Sequence, residues 1–575
     1  MPAATEFGQA GTKGDGSLML MKLRTTAHCL PLLLLATLLA GCSFVRTGFD
    51  KRPVAPDVNH PRIEIPASDS QLNTHVPHQV AIGLEHGVSP EMVAAELGAE
   101  VADFIPALNA ALLRLPEDMP VVEALRRLQD RPGVRYVEPN YVTQAVPEVY
   151  DGLQGAAQPY WDDGVLPLAA SPAGHPPINP RQWGLYTIGA PLAWQYSTGA
   201  GTVIAVIDSG LDWGHPDLGD KILGGVSLVP GYDPNNWYDD DGHGTHVAGI
   251  AAAAGRAPGG VVGVAYDSRL LGIKVLDRQG RGTVFSIAEG IWAVVDWRKY
   301  NASPPTVINL SLGGLIYSIL LKDVLDYALA EGIPVVAAMG NDARGLAKYP
   351  AAYPGVIAVG AVTPDLRPTY FSTSWKHISV SAPGMDIYSS VPGGYGTASG
   401  TSMAAPFVSG AAALLLAREP GLSPGEVRSR LETFARHPDG PGRWDEQVGH
   451  GVINVAASLL GDRDLANFYG SVEVELRDHS GQRLNTVNYG TSPRYQLDFF
   501  VDVYLDHPVR TDIGPVMAND EGMAVFAHVP VDSGYTAVAT VWWPETGFAT
   551  SKSVALPDAV RPGQTQRVII QLDLR

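Results

Sequence analysis

Five short apolar runs, each the length of one buried strand, constrain the fold of this chain more than any other feature. They occupy residues 202–207, 270–275, 306–310, 334–338 and 356–359, with helical stretches between them. Strands that are apolar on both faces are typical of parallel sheets that are covered on both sides. The pattern therefore predicts an α/β fold, with an open parallel sheet and helices on both faces, over residues 181–462.

Three polar residues stand where such a sheet gathers its working groups, at strand ends and at helix starts. Asp208 directly follows the run 202–207, where a buried carboxylate is costly unless a partner binds it. His243 lies in DDDGHGTHVAGIAAAA, between two glycines and at the start of a helix. Ser402, in GTSMAAPF, opens a helix of small residues whose N-terminus favours developing negative charge. We expect this helix to hold Ser402 rigidly as a nucleophile.

These three motifs resemble the active-site boxes of the subtilases, the subtilisin-like serine proteases, in that family's order Asp, His, Ser. The resemblance implies a subtilisin-like sheet and a serine endopeptidase. In it, Ser402 is the nucleophile, His243 the general base, and Asp208 the residue that orients and stabilises the imidazolium. Asn341, in VVAAMGNDA, matches the family's oxyanion-hole asparagine. The alternative is a catalytically silent surface adhesin or binding scaffold, which the presence of all four residues disfavours.

The resemblance also implies a binding groove for polypeptide substrates. The segments expected to flank the bound peptide are Ser311, Leu312 and Gly313, and Ala338, Met339 and Gly340. An extended substrate is expected to add as a strand between these two segments. His215 and His246 lie close to the active-site motifs, and we interpret both as structural.

No cofactor and no metal ion are predicted. Asp217 matches a calcium ligand of the family, but the loop AAAAGRAPGGVVGV lacks the Asn and Asp oxygens expected opposite it. The only two cysteines, Cys29 and Cys42, leave no disulfide or thiolate metal cluster in the remaining chain. The formal net charge of −19 argues against a nucleic-acid partner. We expect a monomer.

The first 42 residues predict export. Basic residues precede an apolar run at 30–40 that is too short to span a bilayer and ends in LAGC, which resembles the lipobox of bacterial lipoproteins. The resemblance implies acylation of Cys42 and anchoring to the outer membrane or cell surface. A plain signal peptide with a chance cysteine is the alternative, and Met19 or Met21 would be a more typical start.

Residues 76–145 predict a small ferredoxin-like α+β unit, whose last strand is expected at 134–137, between linkers at 43–75 and 146–180. Its ending, GVRYVEPNY, resembles the end of the subtilase propeptide. The resemblance implies an inhibitory propeptide, a zymogen and a processing site between residues 142 and 182. A permanent accessory domain is the alternative. Cleavage would separate the enzyme from its lipid, so the propeptide either stays bound as a tether or the enzyme is shed.

The last part of the chain, 465–575, predicts a separate all-β domain. Its strands alternate apolar and polar residues and are divided by Gly, Pro and Asp turns, as in an antiparallel sandwich. Every candidate catalytic residue lies before this domain. We therefore expect it to contribute to targeting or stability rather than to peptide-bond cleavage.

Overall fold

The computed structural model describes most of the chain from residue 65 onward. The described residues are 65–145, 175–343, 345–438, 440, 443–461, 469–478, 480–483, 500–506, 513–517, 523–530, 535–543, 548–561 and 565–572. All of them belong to one compact unit, Val54–Arg575. The predicted signal peptide with Cys42 lies outside the described residues, as do residues 146–174 of the predicted processing region.

The N-terminal domain is a four-stranded antiparallel sheet with two helices. Its elements are β1 (His75–Leu84), α1 (Pro90–Leu97), β2 (Glu100–Ile105), β3 (Ala110–Arg114), α2 (Val121–Leu128) and β4 (Val134–Ala145). The strand order β4-β1-β3-β2 confirms the ferredoxin-like prediction. The last strand is much longer than predicted, because its second half pairs with two strands of the next domain. Local sequence alone does not reveal such a pairing.

The central domain begins at about residue 175. Its elements are α3 (Trp183–Thr187), α4 (Ala190–Ala193), β5 (Val203–Asp208), β6 (Ile222–Ser227), α5 (His243–Ala252), β7 (Arg269–Lys274), β8 (Arg281–Thr283), α6 (Val284–Tyr300), β9 (Thr306–Leu310), β10 (Leu312–Gly313), α7 (Ile319–Ala330), β11 (Val335–Ala338), β12 (Ile357–Val362), β13 (Val380–Pro383), β14 (Ile387–Val391), β15 (Gly394–Ala398), α8 (Thr401–Arg418), α9 (Pro424–Thr433) and α10 (Val455–Leu460).

A parallel sheet of seven strands, in the order β13-β12-β11-β9-β5-β7-β6, forms the centre of this domain. Ile204 and Val206 of β5 pack with α5 and α8 in one buried cluster. On the other face, a β-carbon on Gly290 of α6 would lie 3.3 Å from Ile207 Cγ2. Because successive strand residues face opposite sides, helices cover both faces and the predicted fold is confirmed. The two edge strands, β6 and β13, were not predicted.

Helix α8 runs through the core of the domain. It is long and apolar enough to cross a membrane, but 89% of its apolar window is buried inside the protein, as for a core helix. Its small residues permit close packing: a β-carbon on Gly410 would lie 2.6 Å from Val264 Cβ and 3.0 Å from the Ala251 carbonyl of α5. Close packing on all sides holds the start of α8 in one position.

The C-terminal domain is a sandwich of two small sheets. Its strands are β16 (Tyr469–Arg477), β17 (Phe500–Asp506), β18 (Ile513–Met517), β19 (Met523–Pro530), β20 (Thr536–Trp543), β21 (Phe548–Ala555) and β22 (Thr565–Gln571). The sheets β19-β16-β22 and β18-β17-β20-β21 share one apolar core. The prediction of a purely antiparallel sandwich is wrong for one pair. The last strand, β22, runs parallel to the first, β16, because the chain returns beside it from the opposite sheet.

Candidate active site

Asp208 and His243 form a buried hydrogen-bonded pair at the carboxyl edge of the parallel sheet. Asp208 is the last residue of β5, and His243 is the first residue of α5. The His243 Nδ1 lies 2.7 Å from Asp208 Oδ1, which also accepts the Ser209 N–H at 2.7 Å. Such a contact places the imidazole proton on Nδ1 and leaves Nε2 as the basic nitrogen. The pair can therefore accept a proton at Nε2.

The loop before His243 is tied to the end of β5 by Asp239. Its Oδ1 accepts the Ser209 hydroxyl at 2.8 Å, and its Oδ2 accepts the hydroxyl and the N–H of Thr245 at 2.6 and 2.8 Å. Asp239 thus joins the residue after Asp208 to the first turn of α5. Asp239 is not among the predicted site residues, although it stands in the same DDDGHGTH motif as His243.

Lys274 is a second residue that the sequence analysis missed. It is fully buried at the end of β7, beside Asp208 in the pairing of β5 with β7. Its Nζ donates to the Ser209 carbonyl at 2.5 Å and to Asp240 Oδ1 at 2.6 Å. A buried ammonium is tolerated only with such partners. Lys274 therefore fixes the backbone that follows Asp208.

Ser402 is the second residue of α8 and is fully buried. Its hydroxyl donates to the Ser311 carbonyl at 3.2 Å, and the Ser311 hydroxyl donates to the Ser402 carbonyl at 2.8 Å. Ser311 directly follows β9, which is the parallel neighbour of β5. Because the carboxyl ends of adjacent parallel strands meet at one edge, Ser402 lies at the same edge as Asp208 and His243.

Asn341 follows β11 and contacts the start of α8. Its Oδ1 accepts the Thr401 N–H and the Thr401 hydroxyl, both at 2.9 Å. With the carbonyl oxygen engaged in this way, the amide Nδ2 is directed elsewhere. A β-carbon on Gly400 would lie 2.8 Å from Nδ2, so glycine is needed there to leave room for the amide. A fixed N–H donor thus stands beside the residue that precedes Thr401 and Ser402.

Strand β4 of the N-terminal domain ends in the groove beside these residues. Leu312 pairs with Ala145 and Gly313 with Gln144 on one side, and residues 281–283 pair with residues 142–144 on the other. Both pairings are antiparallel. The pairing ends at Leu312, one residue from Ser311, whose carbonyl contacts the Ser402 hydroxyl. The N-terminal domain therefore presents an extended strand next to Ser402.

The partners of this strand differ in part from the predicted groove. Leu312 and Gly313, which are predicted to flank a substrate, pair with β4, and the strand on the other side of β4 is β8 rather than the segment Ala338, Met339 and Gly340. Ala338 instead ends β11 inside the main sheet. Gly340 donates its N–H to the Thr401 hydroxyl at 3.0 Å. Motif matching placed both segments near the site but could not show which of them offers a free strand edge.

Two side chains of β4 also cap helices of the central domain. Glu138 accepts the Ile319 N–H at 2.9 Å and the Leu320 N–H at 3.3 Å at the start of α7. Asn140 accepts the Phe285 N–H of α6 at 3.2 Å. Helix N-termini carry unpaired N–H donors, so these caps stabilise docking of the N-terminal domain. Burial raises the pKa of Glu138 to about 7.

The two other histidines near the motifs have structural contacts. His246 is buried, and its Nε2 lies 3.0 Å from the Ile387 carbonyl. Burial lowers the pKa of His246 to about 4, so the ring is neutral at physiological pH. The His215 Nε2 lies 2.9 Å from the Gly394 carbonyl. Both rings therefore attach the β14–β15 hairpin to the domain.

The surroundings of Asp217 do not fit a calcium ion. Its Oδ1 accepts the Arg256 and Ala257 N–H groups at 2.7 and 2.9 Å, and its Oδ2 accepts the Val261 N–H and the Tyr395 hydroxyl at 3.1 and 2.7 Å. Calcium requires oxygen ligands, whereas these neighbours are hydrogen-bond donors. Among the residues that the structure describes, no group of three or more His, Cys, Asp or Glu could hold a metal ion.

Comparison with known proteins agrees with this architecture. The family model "Subtilase family" matches residues 199–451, and the model "Fervidolysin N-terminal prodomain" matches residues 63–140. Subtilisin E of Bacillus subtilis (strain 168) is 38% identical over 373 residues, which cover 64% of this chain and 84% of that protein. The subtilisin of Bacillus pumilus is 44% identical over 283 residues, which cover 48% of this chain and 98% of that protein.

A solved structure has a similar fold over most of the chain. It is the crystal structure of fervidolysin from Fervidobacterium pennivorans, described as a keratinolytic enzyme related to subtilisin. The match has a TM-score of 0.57 and 24% identity, and it covers 86% of this chain and 78% of fervidolysin. The similarity to fervidolysin extends the agreement in fold beyond the peptidase domain. Together with the subtilisin matches, these findings show that the chain is a prodomain-bearing serine endopeptidase of the subtilase family.

Proposed function

We propose that Ser402 attacks the peptide carbonyl while His243 Nε2 takes up its proton and then passes it to the leaving amine. Asp208 holds the Nδ1 proton and stabilises the imidazolium that forms. The observation that carries this proposal is the buried 2.7 Å contact between Asp208 Oδ1 and His243 Nδ1, at the sheet edge where Ser402 also lies. The fully buried Asp208 carboxylate is placed to stabilise the positive charge that the ring acquires during the reaction.

Asn341 would stabilise the oxyanion of the tetrahedral intermediate through Nδ2. Thr401 supports this role, because its two hydrogen bonds to Asn341 Oδ1 fix the orientation of the amide and place Nδ2 beside Gly400 at the start of α8. The start of α8 adds a favourable dipole, since helix N-termini stabilise negative charge. Donors that are fixed before the reaction need no reorganisation when charge develops.

The N-terminal domain would act as an intramolecular inhibitor of a self-processing zymogen. Strand β4 occupies the groove between β8 and β10, where an extended polypeptide substrate would bind by main-chain hydrogen bonds. The caps at Glu138 and Asn140 hold that strand against the peptidase domain. Release of the enzyme then requires cleavage after β4, in the predicted processing region.

Labelling with a fluorophosphonate probe tests the proposed nucleophile. The processed chain should react with the probe, and Ser402→Ala should abolish both labelling and peptide cleavage. The expected loss in kcat is about 10⁶-fold, the value known for the equivalent change in subtilisin itself. The purified variant should also remain an unprocessed precursor. Trimming of this variant without another protease would contradict self-processing, and absence of labelling in the parent chain would favour the silent scaffold.

We also propose that the protein is exported and anchored through a lipid on Cys42, as a monomer. The LAGC motif after an apolar run supports this proposal. Cys42→Ser should move the protein from the detergent phase to the aqueous phase in whole-cell fractionation. Unchanged partitioning of the variant would instead favour an ordinary signal peptide.

A further inference from the structure

Three consecutive aspartates precede His243, and only the third faces the peptide groove. Asp239 binds Ser209 and Thr245, and Asp240 forms an ion pair with the buried Lys274 at 2.6 Å. Asp241 accepts the His243 N–H through Oδ1 at 3.2 Å and is exposed. Its second oxygen is therefore the one that a ligand in the groove can meet.

The geometry around Gly280 relates Asp241 to the strand in the groove. The Ala145 N–H of β4 donates to the Gly280 carbonyl at 2.7 Å. A β-carbon placed on Gly280 would lie 3.4 Å from Ala145 Cβ and 3.7 Å from Asp241 Oδ2. The side chain of Ala145 and the Asp241 carboxylate thus border the same space above Gly280. Alanine is too short to use this carboxylate, whereas a lysine or arginine side chain would reach it.

The pairing register identifies which substrate residue would occupy this place. Ala145 pairs with Leu312, so the next position along the strand faces Ser311, whose carbonyl contacts the Ser402 hydroxyl. A substrate that binds in the register of β4 presents its scissile carbonyl at that next position. The position of Ala145 therefore corresponds to P2, the second residue before the cleaved bond.

Two cationic side chains of the neighbouring strands β7 and β8 are directed to other carboxylates. Lys274 Nζ binds Asp240, and Arg281 Nη2 lies 3.3 Å from Asp277 Oδ2. A basic P2 side chain would consequently meet the negative charge of Asp241 at the rim of the groove. Attraction between charges that are partly exposed is modest but sufficient to discriminate between substrates.

We propose that Asp241 makes this protease select a basic residue at P2; the inference rests on the proposed function of the groove. The neutral side chain of Ala145 in the prodomain forms no ion pair with Asp241. Substrates with Lys or Arg at P2 therefore gain a contact that the inhibitory strand lacks. This contact helps them compete for the groove once the prodomain has been cut.

Peptides that differ only at P2 test this selectivity in the processed full chain. We expect kcat/KM for P2 lysine to exceed that for the uncharged norleucine by about fivefold, and P2 glutamate to be the poorest, as expected for a partly exposed ion pair. Asp241→Asn should make lysine and norleucine equivalent, and Asp241→Lys should make glutamate the better substrate. Comparing peptides within one variant cancels any effect of Asp241 on His243.

Salt provides a second readout that a purely steric effect would not change. Raising the ionic strength should reduce the lysine preference of the parent enzyme and leave Asp241→Asn unaffected. Equal cleavage of the lysine and norleucine peptides by the parent enzyme would overturn the inference, as would a preference that persists in Asp241→Asn. Failure to cleave any peptide would overturn the proposed function itself.

Discussion

The N-termini of α7 and α8 use the same helix electrostatics for opposite purposes. At α7, Glu138 of the prodomain caps the Ile319 and Leu320 N–H groups and accepts the Ser318 hydroxyl at 2.5 Å. At α8, the capping position is Gly400, which has no side chain to form a cap, and the next residues are neutral. One helix end thus holds an acidic group in the resting protein, and the other holds the hydroxyl of Ser402.

The difference shows why a catalytic helix end stays neutral. Burial raises the pKa of Glu138 to about 7 although three hydrogen bonds favour its charged form. The hydrogen bonds at the start of α7 therefore offset only part of the cost of burying a charged carboxylate. At α8, charge appears only when the tetrahedral intermediate forms, so the favourable field acts on the transition state and not on a resting group.

Among substitutions near the start of α8 that leave Ser402 in place, Asn341→Ala is expected to have the largest effect on activity. Removing Nδ2 leaves the oxyanion without one fixed donor, so kcat should fall by about 10²–10³-fold, the range known for this donor in subtilisin itself. KM and the extent of fluorophosphonate labelling at saturation should change little. A rise in KM with unchanged kcat would show that Asn341 binds the substrate instead.

At the α7 end, Glu138→Ala should weaken docking of the prodomain. Two buried N–H donors and the Ser318 hydroxyl lose their acceptor, which costs on the order of 1–3 kcal/mol. In the Ser402→Ala precursor, an added protease should then remove the prodomain about tenfold faster. Glu123→Ala is the matched control, because the ion pairs of Glu123, with Arg127 at 2.8 Å and with Arg126 at 3.9 Å, are partly exposed and lie within its own helix. Equal rates for both variants would contradict the capping role.

The raised pKa of Glu138 predicts a pH dependence of the same docking. Glu138 binds its proton more tightly when docked, with a pKa of about 7, than at its ordinary value of 4.5. The contribution of the Glu138 proton to the free energy of docking is therefore complete below pH 4.5 and is lost as the pH rises through 7. The prodomain of the Ser402→Ala precursor should be digested faster at pH 8 than at pH 5.5, by roughly tenfold.

Glu138→Gln provides the control for this pH effect, since its side chain has a similar shape but does not titrate. The difference between pH 5.5 and pH 8 should largely disappear in this variant, once the rates are corrected for the activity of the added protease. A pH dependence as steep as that of the parent precursor would assign the effect to other groups.

The smallest effect on peptide cleavage is expected from removal of the C-terminal sandwich. Its described residues make no contact with the N-terminus of α7 or of α8. Truncation after Asp462 should keep the turnover of a short peptide within a fewfold. Because α3 lies against β18 and β19, the melting temperature should fall. If the truncated chain folds but cannot cleave a tetrapeptide, the sandwich contributes to the active site and the division of roles is wrong.

Local patterns in the sequence accounted for much of the fold. The apolar runs predicted five strands of the main sheet, and the order of elements predicted the ferredoxin-like prodomain. The edge strand β6 (Ile222–Ser227) was not predicted, because its two glycines and its half-exposed residues do not form a continuous apolar run. Of the candidate site, the motifs named Asp208, His243, Ser402 and Asn341, and their catalytic roles stay predictions until the variants are measured.

By itself, the sequence determined the residues of the site and the elements that bear them, because motif and periodicity are properties of neighbouring residues. Only the tertiary structure decided which distant groups meet. It extended β4 to Ala145 through pairing with β8 and β10, and it buried Glu138 against α7 and Lys274 against the Ser209 carbonyl. Strand pairing and burial depend on residues that are at least 65 positions apart along the chain, and no local pattern encodes those contacts.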